Sequence, residues 1–341
     1  MADRLLSPVM DAQEAPRAKV VVIGGGTGTF TVLSGLRDLP LDLTAIVAMS
    51  DDGGSTGRLR DEFGVLPPGD IRQCLVALSE ADVTMRTLMN YRYDHGDLKG
   101  HSFGNIFIST METITGDLDH ALETIGDIMK IRGRVVPVTL TKVRLSAKLK
   151  NGKVLDGEHA IDDYQLVSRF GIERISLTPR PKANPKALRA IKDADIIVVG
   201  PGSFYTSLIP NFLVPGVGKA LAASKAKKIY VANLMNKHGH TDDFLVSDYL
   251  DYLERLIGKR RVFTHVVYNS KIPSRALLRR YADEGEPVRA TDHCRKGRVF
   301  IATNLLRDEL HKKDRGDTLA RTLIRHDPKK LAKAISSIIA T

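Results

Sequence analysis

The sequence predicts an α/β protein built on a parallel sheet, with a small antiparallel β insertion. The first sign is an apolar β-branched run, Val20 to Ile23, that breaks at once into Gly24-Gly25-Gly26-Thr27-Gly28. A second apolar run, Thr44 to Met49, breaks in the same way into Ser50-Asp51-Asp52-Gly53-Gly54-Ser55. Between the two runs, Phe30, Leu33 and Leu36 fall at helical spacing, and Pro40 ends the helix. Strand, glycine loop, helix and strand make one βαβ unit, which requires parallel strands and a right-handed crossover. The helix, beginning near Thr29, directs its first N–H groups into the loop as a seat for an anion.

The remaining elements follow in order. Pro67-Pro68-Gly69-Asp70 is a rigid turn that opens a helix over Ile71 to Ser79, with Asp70 as its N-cap. Thr84 to Tyr93, Ile106 to Thr115 and Leu118 to Met129 are helical, and the loop Gly100-His101-Ser102-Phe103-Gly104-Asn105 separates the first two. From Val135 to Leu155 apolar and polar residues alternate, with a hairpin turn at Asn151-Gly152. Together with Ile172 to Leu177 this forms the antiparallel insertion, about residues 135–178. Ala183 to Lys192 is a helix, and Ala194 to Val199 is a third buried strand that ends in Gly200-Pro201-Gly202-Ser203. Further strands are expected at Ile229 to Asn233, Arg261 to Asn269 and, at the sheet edge, Val299 to Thr303. Asp243 to Leu256, Ala276 to Ala282 and a closing amphipathic segment, Leu331 to Ile339, are helices.

Composition narrows the function. The 341 residues are 43% hydrophobic and 27% charged, which supports a sizeable core. Residues 1–18 read as a flexible arm without the apolar segment of a signal peptide, and 19–341 as a single domain with no dividing linker or repeat. No stretch reaches the roughly 18 apolar residues of a membrane span, so a soluble protein is expected. Cys74 and Cys294 match no zinc or redox spacing and fit a reducing compartment. The net charge is +11, with many basic residues after Ala223, but no zinc finger or RNP signature accompanies it. An anionic metabolite is the more economical partner, and nucleic acid is not expected.

The glycine turns are the candidate binding elements. Gly24 to Gly28 is neither the dinucleotide fingerprint, because Thr29 stands where its last glycine belongs, nor a P-loop, because no Gly-Lys-Ser/Thr follows. Directly after a strand it still fits a phosphate or nucleotide seat; the alternative is a tight structural turn. Asp51 and Asp52 suit a cation, a ribose hydroxyl or an acceptor hydroxyl, or one of them caps the following turn. Ser55 and Thr56 can donate to phosphate. Gly202 and Ser203 fail the nucleophile-elbow pattern, since Pro201 and Tyr205 stand where glycines belong, and Ser203 reads as a phosphate donor. His101 and Asn105 either polarise a ligand or make structural hydrogen bonds. His238 and His240 lack helical metal spacing, so zinc is not expected there.

Four blocks taken together, VVVIGGGTGTFTVLSGLR with VAMSDDGGSTGRLRDEFGVLPPGDIRQCL, GHSFGNIFI, VVGPGSFYTSLIPNFLVPGV and VANLMNKHGHTDDF, carry a family resemblance. The chain resembles the gluconeogenesis-factor branch (YvcK-like proteins) of the superfamily that also contains 2-phospho-L-lactate transferase (CofD). The resemblance implies a three-layer Rossmann-like fold, a cytoplasmic location, a link to gluconeogenic growth and cell shape, and binding of UDP-sugars such as UDP-N-acetylglucosamine. A tyrosine and an arginine implicated in that binding match Tyr281 in RRYADEGEPV and Arg325 in IRHD. The chain departs from the branch where Gln-x-Gly-Glu-Thr is typical and Asn236-Lys237-His238-Gly239-His240-Thr241 stands instead.

The resemblance implies a nucleotide-sugar-binding regulator without turnover. A diphosphate would meet the amides of Gly25 to Gly28, Ser203 and Arg325, and sugar hydroxyls would meet Asp51, Asp52 and Asn233. The alternative it allows is a Mg²⁺-dependent, CofD-like transfer of a phosphate-linked group, with Asp51 or Asp52 holding the metal. NAD as a ligand, a protein partner and homo-oligomerisation stay open.

Overall fold

Seven parallel strands form the central sheet of the computed structural model, which describes residues 17–162, 164–290, 297–308 and 324–340. β1 (Ala18–Gly24) leads through α1 (Gly26–Leu36) into β2 (Leu41–Val47). Next come α2 (Gly54–Phe63), α3 (Gly69–Leu78), α4 (Val83–Asn90), α5 (Phe103–Thr115) and α6 (Leu118–Ile128), then β3 (Arg134–Pro137). β4 (Arg144–Leu149) and β5 (Val154–Asp156) form a hairpin, from which α7 (Glu158–Asp162) and α8 (Tyr164–Phe170) lead to β6 (Ile172–Thr178). α9 (Pro185–Asp193) returns the chain to β7 (Ile196–Val199), which a π-helical turn at Phe204–Leu208 follows. Then come α10 (Ile209–Leu213), α11 (Val217–Ala223), β8 (Lys227–Val231), α12 (Val246–Ile257) and β9 (His265–Asn269). α13 (Arg275–Tyr281), β10 (Val299–Thr303) and α14 (Pro328–Ile339) end the described chain.

The sheet runs in the order β10-β9-β8-β7-β1-β2-β3, and every neighbouring pair is parallel. Strands buried on both faces need continuous apolar runs, which is why Val20, Val22 and Ile23 of β1 and Ile197 to Val199 of β7 are fully buried. The chain winds one way from β1 to β3, then restarts at β7 on the other side of β1 and winds the opposite way. Right-handed crossovers on the two sides of that reversal put their helices on opposite faces. Accordingly α1 packs with α3 and α14, while α11 packs with α9 and α12. The reversal opens a crevice between the carboxyl ends of β1 and β7, the usual ligand position in such sheets.

Helix starts follow local chemistry. Asn184 accepts from Lys186 N at 2.9 Å to begin α9, and Asp327 accepts from Lys330 N at 2.9 Å to begin α14, each with proline in the first turn. α1 starts at Gly26, not near Thr29, and no side chain of its N-cap residue Gly25 serves it. Asp70 is not the N-cap of α3; that place belongs to Pro68, and Asp70 lies in the first turn.

The antiparallel sheet has the order β5-β4-β6, with Gly152 in the hairpin turn at φ +88°. It begins at Arg144 rather than at residue 135. Val135 to Pro137 belong to β3, which pairs parallel with β2 at the edge of the main sheet. β10 occupies the other edge, as expected. Of the arm at 1–18, only Arg17 and Ala18 are among the described residues, and Ala18 opens β1. Cys74 is buried with a free thiol, and Cys294 lies outside the described residues. No helix of the described residues is long and apolar enough to cross a membrane.

Leu33 of α1 is fully buried in the core. Leu33→Ala is expected to cost about 2–5 kcal/mol of unfolding free energy, measured by urea denaturation with the slope unchanged.

Candidate functional site

Three turns leave the carboxyl edge of the sheet beside the reversal: Gly24–Gly28 after β1, Ser50–Ser55 after β2, and Gly200–Ser203 after β7. Gly28 approaches the β7 turn so closely that a Cβ there would stand 2.0 Å from the Pro201 carbonyl oxygen. Only glycine allows that approach. Asn233, just beyond β8, donates from Nδ2 to the Gly202 carbonyl at 2.9 Å and fixes the third turn from the other side. Ser207, on the π-helical turn, lies where a Cβ on Gly25 or Gly202 would touch it at 3.4 Å. Ser203 precedes this turn, and its Oγ accepts from Thr206 Oγ1 at 2.8 Å.

The amino end of α1 already has an anion. Asp70 reaches across from α3 and accepts the N–H of Gly26. Loss of hydration, then the charge of Asp51, push its carboxyl up to about 7. Asp51 accepts from Gly53 N at 2.9 Å and from the Thr56 hydroxyl, yet desolvation still raises its pKa above the ordinary carboxylate range. Glu158 at the start of α7 joins them. Desolvation first, then the charges of Asp51 and Asp70, raise it well above normal, and a hydrogen bond with the Thr206 hydroxyl offsets this only in part.

Asp52 has a different position from the one the sequence indicates. Its Oδ1 accepts from Glu158 N at 2.9 Å and His159 N at 3.3 Å, so it caps α7. The carboxylates that face one another are therefore Asp51, Asp70 and Glu158, rather than the adjacent pair Asp51 and Asp52. Carboxylates whose charges oppose one another in this way fit a hard divalent cation such as Mg²⁺, which would compete with their protons. Asp51 and Asp70 would be the residues to hold it.

Beside β2, Ser55, Thr56, His101 and Asn105 are all buried and bonded largely to one another. Ser55 Oγ lies 3.2 Å from His101 Nδ1 and 3.3 Å from Asn105 Nδ2, and Asn105 Nδ2 is 3.4 Å from Thr56 Oγ1. Arg72, which sequence reasoning missed, donates from Nε to Asn105 Oδ1 at 2.8 Å. Burial and the Arg58 charge lower the His101 pKa. Of the two roles open to His101 and Asn105, these contacts are those of a structural brace. Around the glycine turns, in contrast, Thr29 Oγ1, Asn211 Oδ1 and Asn233 Oδ1 are buried without a hydrogen-bond partner among the described residues. Polar atoms left so are unusual in a folded protein.

Arg325 belongs to another part of the same edge. With Lys271, Ser274, Arg280, Arg307 and Asp308 it lines a cleft of about 290 Å³ beyond β9 and β10. The glycines of the turns are not among its lining residues. The next residue, His326, is buried and donates from Nε2 to the Ala232 carbonyl at 3.2 Å, one residue before Asn233. Tyr281 is only 4% exposed, and its hydroxyl donates to Glu284 rather than lining the cleft.

The family model described as 2-phospho-L-lactate transferase CofD matches residues 20–306. The chain belongs to the CofD family. Within this family, a protein of Nostoc sp. (strain PCC 7120) is 43% identical over 322 residues, covering 93% of this chain and 68% of its own. The gluconeogenesis factor of Bacillus subtilis (strain 168) is 36% identical over 325 residues, covering 95% of this chain and 98% of its own. Among solved structures, an X-ray structure of a protein from Bacillus halodurans superposes with a TM-score of 0.85 at 36% identity, covering 94% of this chain and all of that one. A second crystal structure, of a UPF0052 family member from the same organism, gives 0.84 at 35% identity, covering 94% of this chain and 99% of that one.

For Asp70 the folded chain holds the proton more tightly than the unfolded chain. Its contribution to stability is therefore complete below about pH 4 and lost as pH rises through about 7. Asp70→Asn should flatten this dependence. Wild type is expected to lose about 1–3 kcal/mol relative to the variant between pH 4 and pH 8, read from paired urea titrations.

Proposed function

We propose that this protein is a cytoplasmic regulator that binds a nucleotide sugar, represented by UDP-N-acetylglucosamine, and couples central carbon metabolism to cell shape. The reading rests chiefly on one observation. At the switch point of the sheet, glycine turns from β1 and β7 meet around Thr29 Oγ1, Asn211 Oδ1 and Asn233 Oδ1, which have no partner among the described residues. The basic cleft at the same edge, with Arg280, Arg307 and Arg325, adds the charge that a diphosphate requires. Kinship with a protein named gluconeogenesis factor agrees with a role in carbon metabolism.

In this reading the arginines take the diphosphate, and Asn233 and the glycine turns take sugar or ribose hydroxyls. The N–H of Gly26 is left to Asp70. A charge-assisted hydrogen bond contributes about 1.5–3 kcal/mol. Arg325→Ala should therefore weaken UDP-N-acetylglucosamine binding roughly 10- to 100-fold in calorimetry and leave the melting temperature unchanged. Folded wild-type protein that gives no heat at high micromolar ligand would refute the reading.

The cluster of Asp51, Asp70 and Glu158 favours a second reading, transfer of a phosphate-linked group from a nucleotide diphosphate donor to an acceptor hydroxyl. A Mg²⁺ ion held by Asp51 and Asp70 would supply charge neutralisation at the leaving phosphate. Product formed from donor and acceptor only when Mg²⁺ is present, and abolished by Asp51→Asn, would establish this reading over the first.

A further inference from the structure

We propose a second, independent site: a divalent transition-metal site, for which Zn²⁺ is the best match, formed by His238, Asp242 and Glu286. His238 Nδ1, one Asp242 oxygen and one Glu286 oxygen lie within 4.8 Å of one another. His238 Nδ1 is 2.9 Å from Asp242 Oδ1 and 3.7 Å from Glu286 Oε2. Tetrahedral zinc with ordinary N and O bond lengths separates its ligand atoms by about 3.3 Å. The two distances bracket that value, so small side-chain rotations complete the geometry.

The atoms facing away from the common point are already committed. His238 Nε2 donates to the Ala282 carbonyl at 2.9 Å, so the neutral ring carries its lone pair on Nδ1, the atom that faces Asp242 Oδ1 at 2.9 Å and donates to it when the ring is protonated. Asp242 Oδ2 accepts from Gly239 N at 2.7 Å. Glu286 Oε1 accepts from Asn236 Nδ2 at 2.8 Å and from Asp243 N at 2.9 Å. Each donor is thus oriented from outside by a backbone or amide group, the arrangement that supports metal-bound imidazoles and carboxylates. Two carboxylate oxygens and Nδ1 converge on one point, where a metal ion would take the place of the Nδ1 proton. An imidazole nitrogen among them selects a borderline ion over Mg²⁺ or Ca²⁺. The partial exposure of all three side chains leaves room for water in the remaining positions.

Helical spacing is the wrong test for this His-Gly-His segment. His238 and Asp242 are four residues apart on a tight loop in which Gly239 has φ +78° and Asp243 φ +58°. The third ligand comes from the segment after α13, held alongside by His238 N to the Glu284 carbonyl at 3.0 Å and Asn236 N to the Glu286 carbonyl at 2.7 Å. A metal here clamps the loop after β8 to the chain immediately following Tyr281. The competing occupant is a proton: an imidazolium held between two carboxylates fills the same space.

The test uses the full chain, stripped with chelator and dialysed. Titration with Zn²⁺ at pH 7.5 should show one equivalent bound and a higher melting temperature, and Co²⁺ should give the visible bands of a low-symmetry four-coordinate ion. His238→Ala and Asp242→Asn should each weaken Zn²⁺ binding at least tenfold, with His120→Ala as a surface control that leaves it unchanged. Should His238→Ala fail to fold, Glu286→Gln and the Co²⁺ spectrum of the wild type still decide. Neither heat nor Co²⁺ bands in the wild type would show an ion pair with a proton only and overturn the proposal. Binding that survives His238→Ala and Asp242→Asn would place the metal elsewhere and overturn it equally.

Discussion

At the amino end of α1, where a glycine-rich turn would offer its N–H groups to a phosphate, the chain has placed a carboxylate of its own. Asp70 takes the Gly26 N–H and sits beside Gly25 so tightly that a Cβ there would lie 2.3 Å from its Oδ2. The partial positive charge of a helix start favours an anion, but loss of hydration first, and then the charge of Asp51, oppose the ionisation of Asp70. That conflict governs the site. Asp70, with its carboxyl pushed up to about 7, is only partly ionised near neutral pH. A bare diphosphate brought to these amides would add further negative charge to a place that already sheds it. The arginine-lined cleft at β9 and β10 has the opposite sign and no such conflict.

The parallel sheet was legible because its strands are buried on both faces and so read as unbroken apolar runs. β1, β2 and β7 are of this kind, and each ends at the glycine or Asp-Gly turn seen in the sequence. β3 was not legible as a sheet strand. Four residues long and at an edge, it is too short to read by itself and runs directly into the alternating stretch that follows it. α2 was hidden behind Gly53-Gly54-Ser55, where the glycines suggest only a loop although Gly54, at φ +45°, is its first residue. The π-helical turn and α10 were hidden by Pro201 and Pro210, and the second proline proves to be a first-turn residue.

Within the site, the turns could be read but the carboxylate set could not. Asp51 and Asp52 are neighbours in sequence, yet successive residues leaving a strand point in different directions. One faces Thr56 and the other caps α7, more than a hundred positions later. Asp70 looked like a helix cap because Pro-Pro-Gly-Asp is good capping chemistry, and local chemistry cannot report a contact with Gly26 across the fold. Arg72 and Glu158 gave no local signal at all. Arg325 and Tyr281, known only through resemblance, fall into different environments, one lining a basic cleft and the other buried against Glu284.

The two regions of the edge are joined by a short path through the exit of β8. His326 follows Arg325 directly and bonds to the carbonyl of Ala232; Asn233 follows Ala232 and bonds to the carbonyl of Gly202. Burial drives the His326 pKa down to about 4, so it is a neutral donor throughout the physiological range and this link does not switch with pH. Its persistence sets a geometric condition on any ligand that engages both regions. The backbone beside Arg325 and the β7 turn are held in fixed relation by the side chains of His326 and Asn233 bonded to backbone carbonyls. A ligand long enough to reach from one to the other would meet a pre-set spacing instead of having to create it, and such pre-organisation lowers the entropic cost of binding. Free phosphate or a lone sugar would use one end only and forgo that advantage.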